Sequence, residues 1–213
     1  PLPRSWSHRA WSKVVTFGSF NRLGKMNNAA LNAWSEILHR APSSKLIIKS
    51  QALDRETIFR EFTARMATAG IKQDRFELLG GNPQPEHLAK HGLVDIMLDP
   101  FPHGGGVSSA DSLWMGVPVV ALSGNTIPGR LGASALHALG LDDFIASNKE
   151  EYIEIALRMA GERGYLKELR SSLRDKIITS PVGDPNLYVR AVEDLYRDIW
   201  TEWCGAQENA TPF

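Results

Sequence analysis

The sequence predicts an α/β protein built on a parallel sheet with helices on both faces. Three observations carry that prediction. Short β-branched runs alternate with amphipathic stretches five times, and each strand-plus-helix unit spans a few tens of residues. Apolar residues make up 43% of the 213, enough for a sizeable core.

The elements follow in order. Residues 14–17 (Val14, Val15, Thr16, Phe17) form a first strand ending at Gly18. A helix over 27–40 carries Leu31, Trp34, Ile37 and Leu38 at helical spacing, and Pro42 ends it. Residues 45–48 make a second strand. Asp54 is expected to cap the next helix, whose apolar face is Ile58, Phe59, Phe62 and Met66, with Gly70 as its stop. A third strand covers 76–79, a short helix 86–91, a fourth strand 94–98, a helix 107–115 and a fifth strand 118–122.

Beyond Gly124 the pattern is mainly helical, over 130–139, 147–161 and 166–178. Ser147 and Glu150 suit a capping box at the second of these. The last helix follows Asp184 and Pro185, bears an apolar stripe (Tyr188, Val192, Leu195, Ile199, Trp200, Trp203), and has Gly205 to close it. Residues 1–13, with Trp6 and Trp11 as bulky anchors, read as a linker. Residues 14–205 read as one lobe and 206–213 as a frayed tail. Because the chain opens at Pro1, it is expected to belong to a longer protein.

Charge and cysteine narrow the function classes. Lys plus Arg is 24 and Asp plus Glu is 24, so no basic field is available for a nucleic-acid backbone. Cys204 stands alone, so a disulfide or thiolate metal site is not expected and a reducing cytoplasm fits. No apolar run reaches membrane-spanning length, no signal-peptide pattern opens the chain, and no metal centre is expected from the six histidines. No cofactor is expected.

In an open α/β sheet, ligands lie beyond the carboxyl ends of the strands. Three predicted loops fall there. Gly18 to Lys25 offers Lys25 as a point charge for a phosphate, although Arg22 and Lys25 read equally well as solvated charges. Gly104, Gly105 and Gly106 directly precede a helix, and their open N–H groups with Ser108 and Ser109 make an anion site. One turn further on, Asp111 suits a ribose hydroxyl. The glycines match neither the P-loop nor the dinucleotide spacing. The third loop carries Gln84, His87 and Lys90, where His87 suits base stacking but by itself reads as a helix-surface histidine. His103, beside the glycines, is a lesser candidate. Asp142 and Asp143 read as structural.

Four ordered motifs extend this reading: Thr16-Phe17-Gly18-Ser19-Phe20-Asn21, Asp99-Pro100-Phe101-Pro102, Ala110 to Pro118 (ADSLWMGVP), and Arg130-Leu131-Gly132-Ala133-Ser134. Together they resemble the C-terminal catalytic lobe of O-linked N-acetylglucosamine transferases and their SPINDLY relatives, from about Val14 to Trp203. The resemblance implies a Rossmann-like lobe of a GT-B glycosyltransferase, inverting and metal-independent, that takes UDP-N-acetylglucosamine and modifies protein Ser or Thr. It implies Lys25 at the diphosphate, Gly106, Val107 and Ser108 at the helix-start donors, Asp111 at the ribose and His87 on the base. Arg22, Gln84 and Lys90 fall where the family carries a glutamine, a lysine and an arginine, and Val107 replaces a threonine. An acceptor protein, a preceding lobe and upstream tetratricopeptide repeats are the implied partners. No general base stands out, and the chain alone is expected to be inactive. The alternatives are a GDP-fucose protein O-fucosyltransferase and a non-catalytic interaction module, with an NAD-dependent reductase more distant.

Overall fold

The computed structural model describes residues 14–208, so the linker with Trp6 and Trp11, and residues 209–213, lie outside it. Six strands form one parallel sheet: β1 (Thr16–Ser19), β2 (Lys45–Lys49), β3 (Phe76–Leu79), β4 (Ile96–Leu98), β5 (Val119–Leu122) and β6 (Ile145–Ala146). The order is β3-β2-β1-β4-β5-β6, with Phe17 of β1 opposite both Leu46 and Ile96. The central strands are apolar on both faces because helices cover both, as all-parallel sheets require.

The helices are α1 (Asn28–Arg40), α2 (Glu56–Thr68), α3 (Gln84–Lys90), α4 (Val107–Trp114), α5 (Ile127–Ala138), α6 (Lys149–Gly161), α7 (Arg163–Ile178) and α8 (Pro185–Glu208). Right-handed crossovers that step outward from β1 in opposite directions put α1 and α2 on one face and α4 and α5 on the other. After β6 the chain returns, and α6 packs on α1 and on β4, β5 and β6. A buried pair locks this return. Tyr152 of α6 donates its hydroxyl to the Asp99 carbonyl (2.9 Å) and accepts from Trp34 Nε1 of α1 (3.0 Å), with both side chains fully buried. Loss of that hydroxyl would strand a buried donor and a buried acceptor, the costly way to break a hydrogen bond.

Four expectations are corrected. Asp54 does not cap α2. It ends a 3-10 turn (Gln51–Asp54), and its carboxylate instead accepts from the Gly81 N–H (3.0 Å), tying the loops after β2 and β3 together. Asn148, rather than Ser147, caps α6 by accepting from the Glu151 N–H, while the Glu151 carboxylate accepts from the Ser147 N–H. The box is therefore shifted one residue along. A sixth strand lies between two expected helices, where none was assigned: Ile145–Ala146 is too short to show periodicity and is defined by pairing with β5. Gly205 does not close the last helix, which continues to Glu208. Smaller shifts occur at α3, which starts at Gln84, and α5, which starts at Ile127 with Thr126 as its N-cap.

The apolar stripe of α8 is exposed. Tyr188, Leu195, Ile199, Trp200 and Trp203 are each more than half accessible, and Trp200 stacks on Trp203 (5.3 Å between centroids). Among the described residues no helix is long and apolar enough to cross a membrane.

Candidate functional site

Strand order reverses between β1 and β4, so the loops that leave these two strands diverge and leave a crevice at their carboxyl ends. After β1 the chain turns through Phe20, Asn21 and Arg22 into a 3-10 turn (Leu23–Lys25). After β4 it runs through Asp99 and the three glycines into α4. Two side-chain bonds stitch the loops together: Lys25 Nζ donates to the Gly104 carbonyl (2.7 Å), and Ser108 Oγ donates to Asn21 Oδ1 (2.7 Å).

Asp99 organises the glycine loop. Its carboxylate is almost wholly buried and accepts from the Gly105 N–H (2.8 and 2.9 Å) and from Ser109 Oγ (3.0 Å). A Cβ on Gly104 would lie 2.8 Å from Asp99 Oδ2, and one on Gly105 would lie 2.6 Å from Oδ1; Gly132 of α5 closes the third side. The glycines are therefore required by close approach to a buried carboxylate. This corrects the expectation that all their N–H groups are open to an anion. Gly104 N–H donates to the Pro128 carbonyl and Gly105 N–H to Asp99. Among the described residues nothing takes the N–H groups of Gly106, Val107 or Ser108 at the start of α4, which remain as a positive helix end. The Val107 side chain is 77% exposed and contributes nothing further there.

Lys25 lies half-buried beside this helix start. Burial lowers the pKa of its ammonium, the neighbouring Asp99 carboxylate raises it, and Arg22 lowers it. An ammonium has three donors; Gly104 takes one and two remain.

The crevice widens over β1, β2 and β3 into an open cleft of about 980 Å³, lined among others by Asn21, Arg22, Lys49, Asp54, Gln84 and His87. Phe20, His87 and His91 form a ring cluster at its wall, with centroids 4.8 to 6.0 Å apart. Asp111 reaches across from α4, its Oδ2 4.0 Å from His87 Nε2. Burial, then Lys49, lower the His87 pKa, while Asp111 raises it. His91 is fully buried and held near pKa 4, mainly by burial; its Nδ1 faces the Leu88 carbonyl, and among the described residues its Nε2 has no hydrogen-bond partner.

Of the residues singled out in the sequence, Arg22, Gln84 and His87 line the cleft, and Lys25, Gly106, Val107, Ser108 and Asp111 gather at its β1–β4 edge. Lys90 does not line it, although its charge reaches Lys49. His103 is exposed on the loop. Asp142 pairs with His137 (2.6 Å) at the surface between α5 and β6. Sequence reading gave Asp99 no role of its own and passed over Lys49. Charged residues at the ends of apolar strands were the available signals for both.

Asp99 and His91 predict opposing pH effects. Burial raises Asp99 from 3.8 to about 6, so its contribution to stability is fully present below about pH 4 and is lost as pH rises towards 6. His91 is depressed from 6.5 to about 4, so its contribution is present above 6.5 and is lost as pH falls towards 4. Each amounts to about 3 kcal/mol, and they offset one another. Asp99→Asn removes one side. Its urea midpoint should therefore climb more steeply than wild type between pH 4 and 6.5, whereas parallel curves would contradict the assignment.

Comparison with known proteins bears on this geometry. Residues 7–192 match glycosyl transferase family 41. A Hordeum vulgare protein described as a probable UDP-N-acetylglucosamine–peptide N-acetylglucosaminyltransferase SPINDLY is 34% identical over 92% of this chain and 21% of its own length. A Caenorhabditis elegans UDP-N-acetylglucosamine–peptide N-acetylglucosaminyltransferase is 26% identical over 89% of this chain and 16% of its own. The chain thus spans about a fifth of the curated relatives it matches. A mutant of Thermobaculum terrenum O-GlcNAc transferase superposes with a TM-score of 0.81 at 31% identity, covering 96% of this chain and 40% of the other. Anabaena Alr3699/HepE, solved with UDP-glucose, matches with a TM-score of 0.57 at 18% identity over 87% of this chain and 49% of the other, a likeness of fold.

Proposed function

The chain belongs to glycosyl transferase family 41, and on that premise we propose that it is the donor-binding lobe of a GT-B enzyme moving N-acetylglucosamine from UDP-N-acetylglucosamine to protein Ser or Thr hydroxyls. One observation carries the reading. A lysine with two unused donors and an uncapped helix start converge where the strand order reverses, beside a histidine–aspartate pair. The diphosphate lies against Lys25 and the N–H groups of Gly106, Val107 and Ser108. Asp111 takes the ribose, and His87 stacks on the base with Gln84 beside it, while Arg22 stands on the phosphate side.

Negative charge grows on the β-phosphate as the sugar departs, and Lys25 with the positive end of α4 stabilises it there. The family resemblance extends this to an inverting transfer without a metal ion. The activities for which the relatives are named support the sugar and the acceptor class, and the UDP-glucose in the Anabaena protein supports a uridine donor. The rest of the longer protein supplies the acceptor side, and the exposed stripe of α8 packs against it.

Calorimetric titration of the 213-residue chain with UDP, UDP-N-acetylglucosamine and GDP tests the reading. Binding of the uridine ligands with little turnover is expected. A preference for GDP would overturn the donor, and no binding to any of them would overturn the donor site.

A further inference from the structure

A second cation, outside the diphosphate machinery, faces the histidine end of the cleft. Lys49 ends β2, directly after Leu46, Ile47 and Ile48. The residue is only 4% exposed, so its stem is buried, yet it lines the cleft beside Gln51, Asp54, Gln84 and His87. Among the described residues its ammonium makes no hydrogen bond and no ion pair; it feels Asp54 and Lys90 at longer range. The Asp54 carboxylate is itself held by the Gly81 N–H. A part-desolvated ammonium has three donors and no acceptor, so it needs oxygen atoms in front of it.

A nucleoside diphosphate offers oxygen on its diphosphate, its ribose and a base carbonyl; the ribose falls to Asp111 on the donor-site reading, and topology decides between the other two. Lys25 and the start of α4 hold the β1–β4 edge, whereas β2 lies on the other side of β1. Besides Asp54, the groups that sense Lys49 are His87, His91 and Lys90, the ring cluster and its helix. We infer that Lys49 reads the nucleobase, donating to the carbonyl that uracil carries at C4 and guanine at C6, and so selecting uracil or guanine over cytosine or adenine. Cytosine and adenine present an amino donor at the corresponding edge, and two donors facing one another exclude each other. This rests on the donor-site reading above and adds the base selectivity of that same site.

The test is affinity of the 213-residue chain for UDP, CDP, GDP and ADP, wild type against Lys49→Met, with a melting curve for each. Methionine keeps the buried stem and removes the charge. Wild type is expected to bind UDP over CDP, and GDP over ADP, by roughly 10-fold or more. Lys49→Met should lower UDP and GDP to the level of their amino counterparts and leave CDP and ADP unchanged. Equal binding of UDP and CDP by wild type overturns the inference without any variant. Uniform weakening of all four by Lys49→Met also overturns it, because that is the behaviour of a phosphate contact. Wild type binding none of the four overturns the donor site and this inference with it, whereas binding without base preference overturns the inference alone.

Discussion

Lys25→Met is expected to reduce sugar transfer by the full-length protein roughly 100- to 1000-fold, the cost of removing one donor aimed at developing charge. In the 213-residue chain the same change should weaken UDP roughly 10- to 100-fold, the range for a hydrogen bond to a charged group. The structure says why the loss falls on the ligand rather than the fold. Lys25 spends one donor on the Gly104 carbonyl and stands beside an uncapped helix start. Methionine preserves its apolar stem, and the Gly104 carbonyl loses one partner. Thermal stability should therefore fall by only about 1 kcal/mol. An equal loss of UDP affinity and of stability, or unchanged UDP affinity, would count against Lys25 as the diphosphate contact.

The second large effect separates two accounts of the glycine run. A flexible turn would tolerate alanine similarly at each position. A glycine box around a buried carboxylate would not. At Gly105 a Cβ meets Asp99 Oδ1 at 2.6 Å and Ser108 Oγ at 2.8 Å, and Asp99 has no room to retreat, because Gly104 and Gly132 hold its other sides. Gly105→Ala is expected to lower stability by about 3 kcal/mol through overpacking and loss of the N–H to carboxylate bonds. It should also weaken UDP by shifting the start of α4. At Gly106 a Cβ meets only Leu131 Cδ1, at 3.5 Å, an ordinary contact. Gly106→Ala should hold its melting temperature close to wild type. Equal sensitivity at the two positions, read from urea midpoints, would refute the box.

The alternation of strands and helices, and with it the parallel sheet, was legible in the residues alone. Each element states its identity locally: Leu31, Trp34, Ile37 and Leu38 on one helical face, or Leu46, Ile47 and Ile48 in one strand, all buried in the structure. The sequence also located the loops that bear Lys25, His87 and Asp111, because parallel topology sends every strand's carboxyl end to the same edge. Long-range contacts set the rest. β6 exists because β5 offers two residues a ladder, and Asp54 turns from helix cap to loop clamp because Gly81 comes within reach. Lys25 and Gly104 are 79 residues apart, and Asp99 has the glycine of another helix against it. Such contacts leave no periodic trace, since burial and close approach are properties of what surrounds a residue rather than of its neighbours in the chain. The run Gly104-Gly105-Gly106 was visible from the beginning; that it encloses a carboxylate, and that only the last of the three still offers its N–H, became visible once the chain was folded.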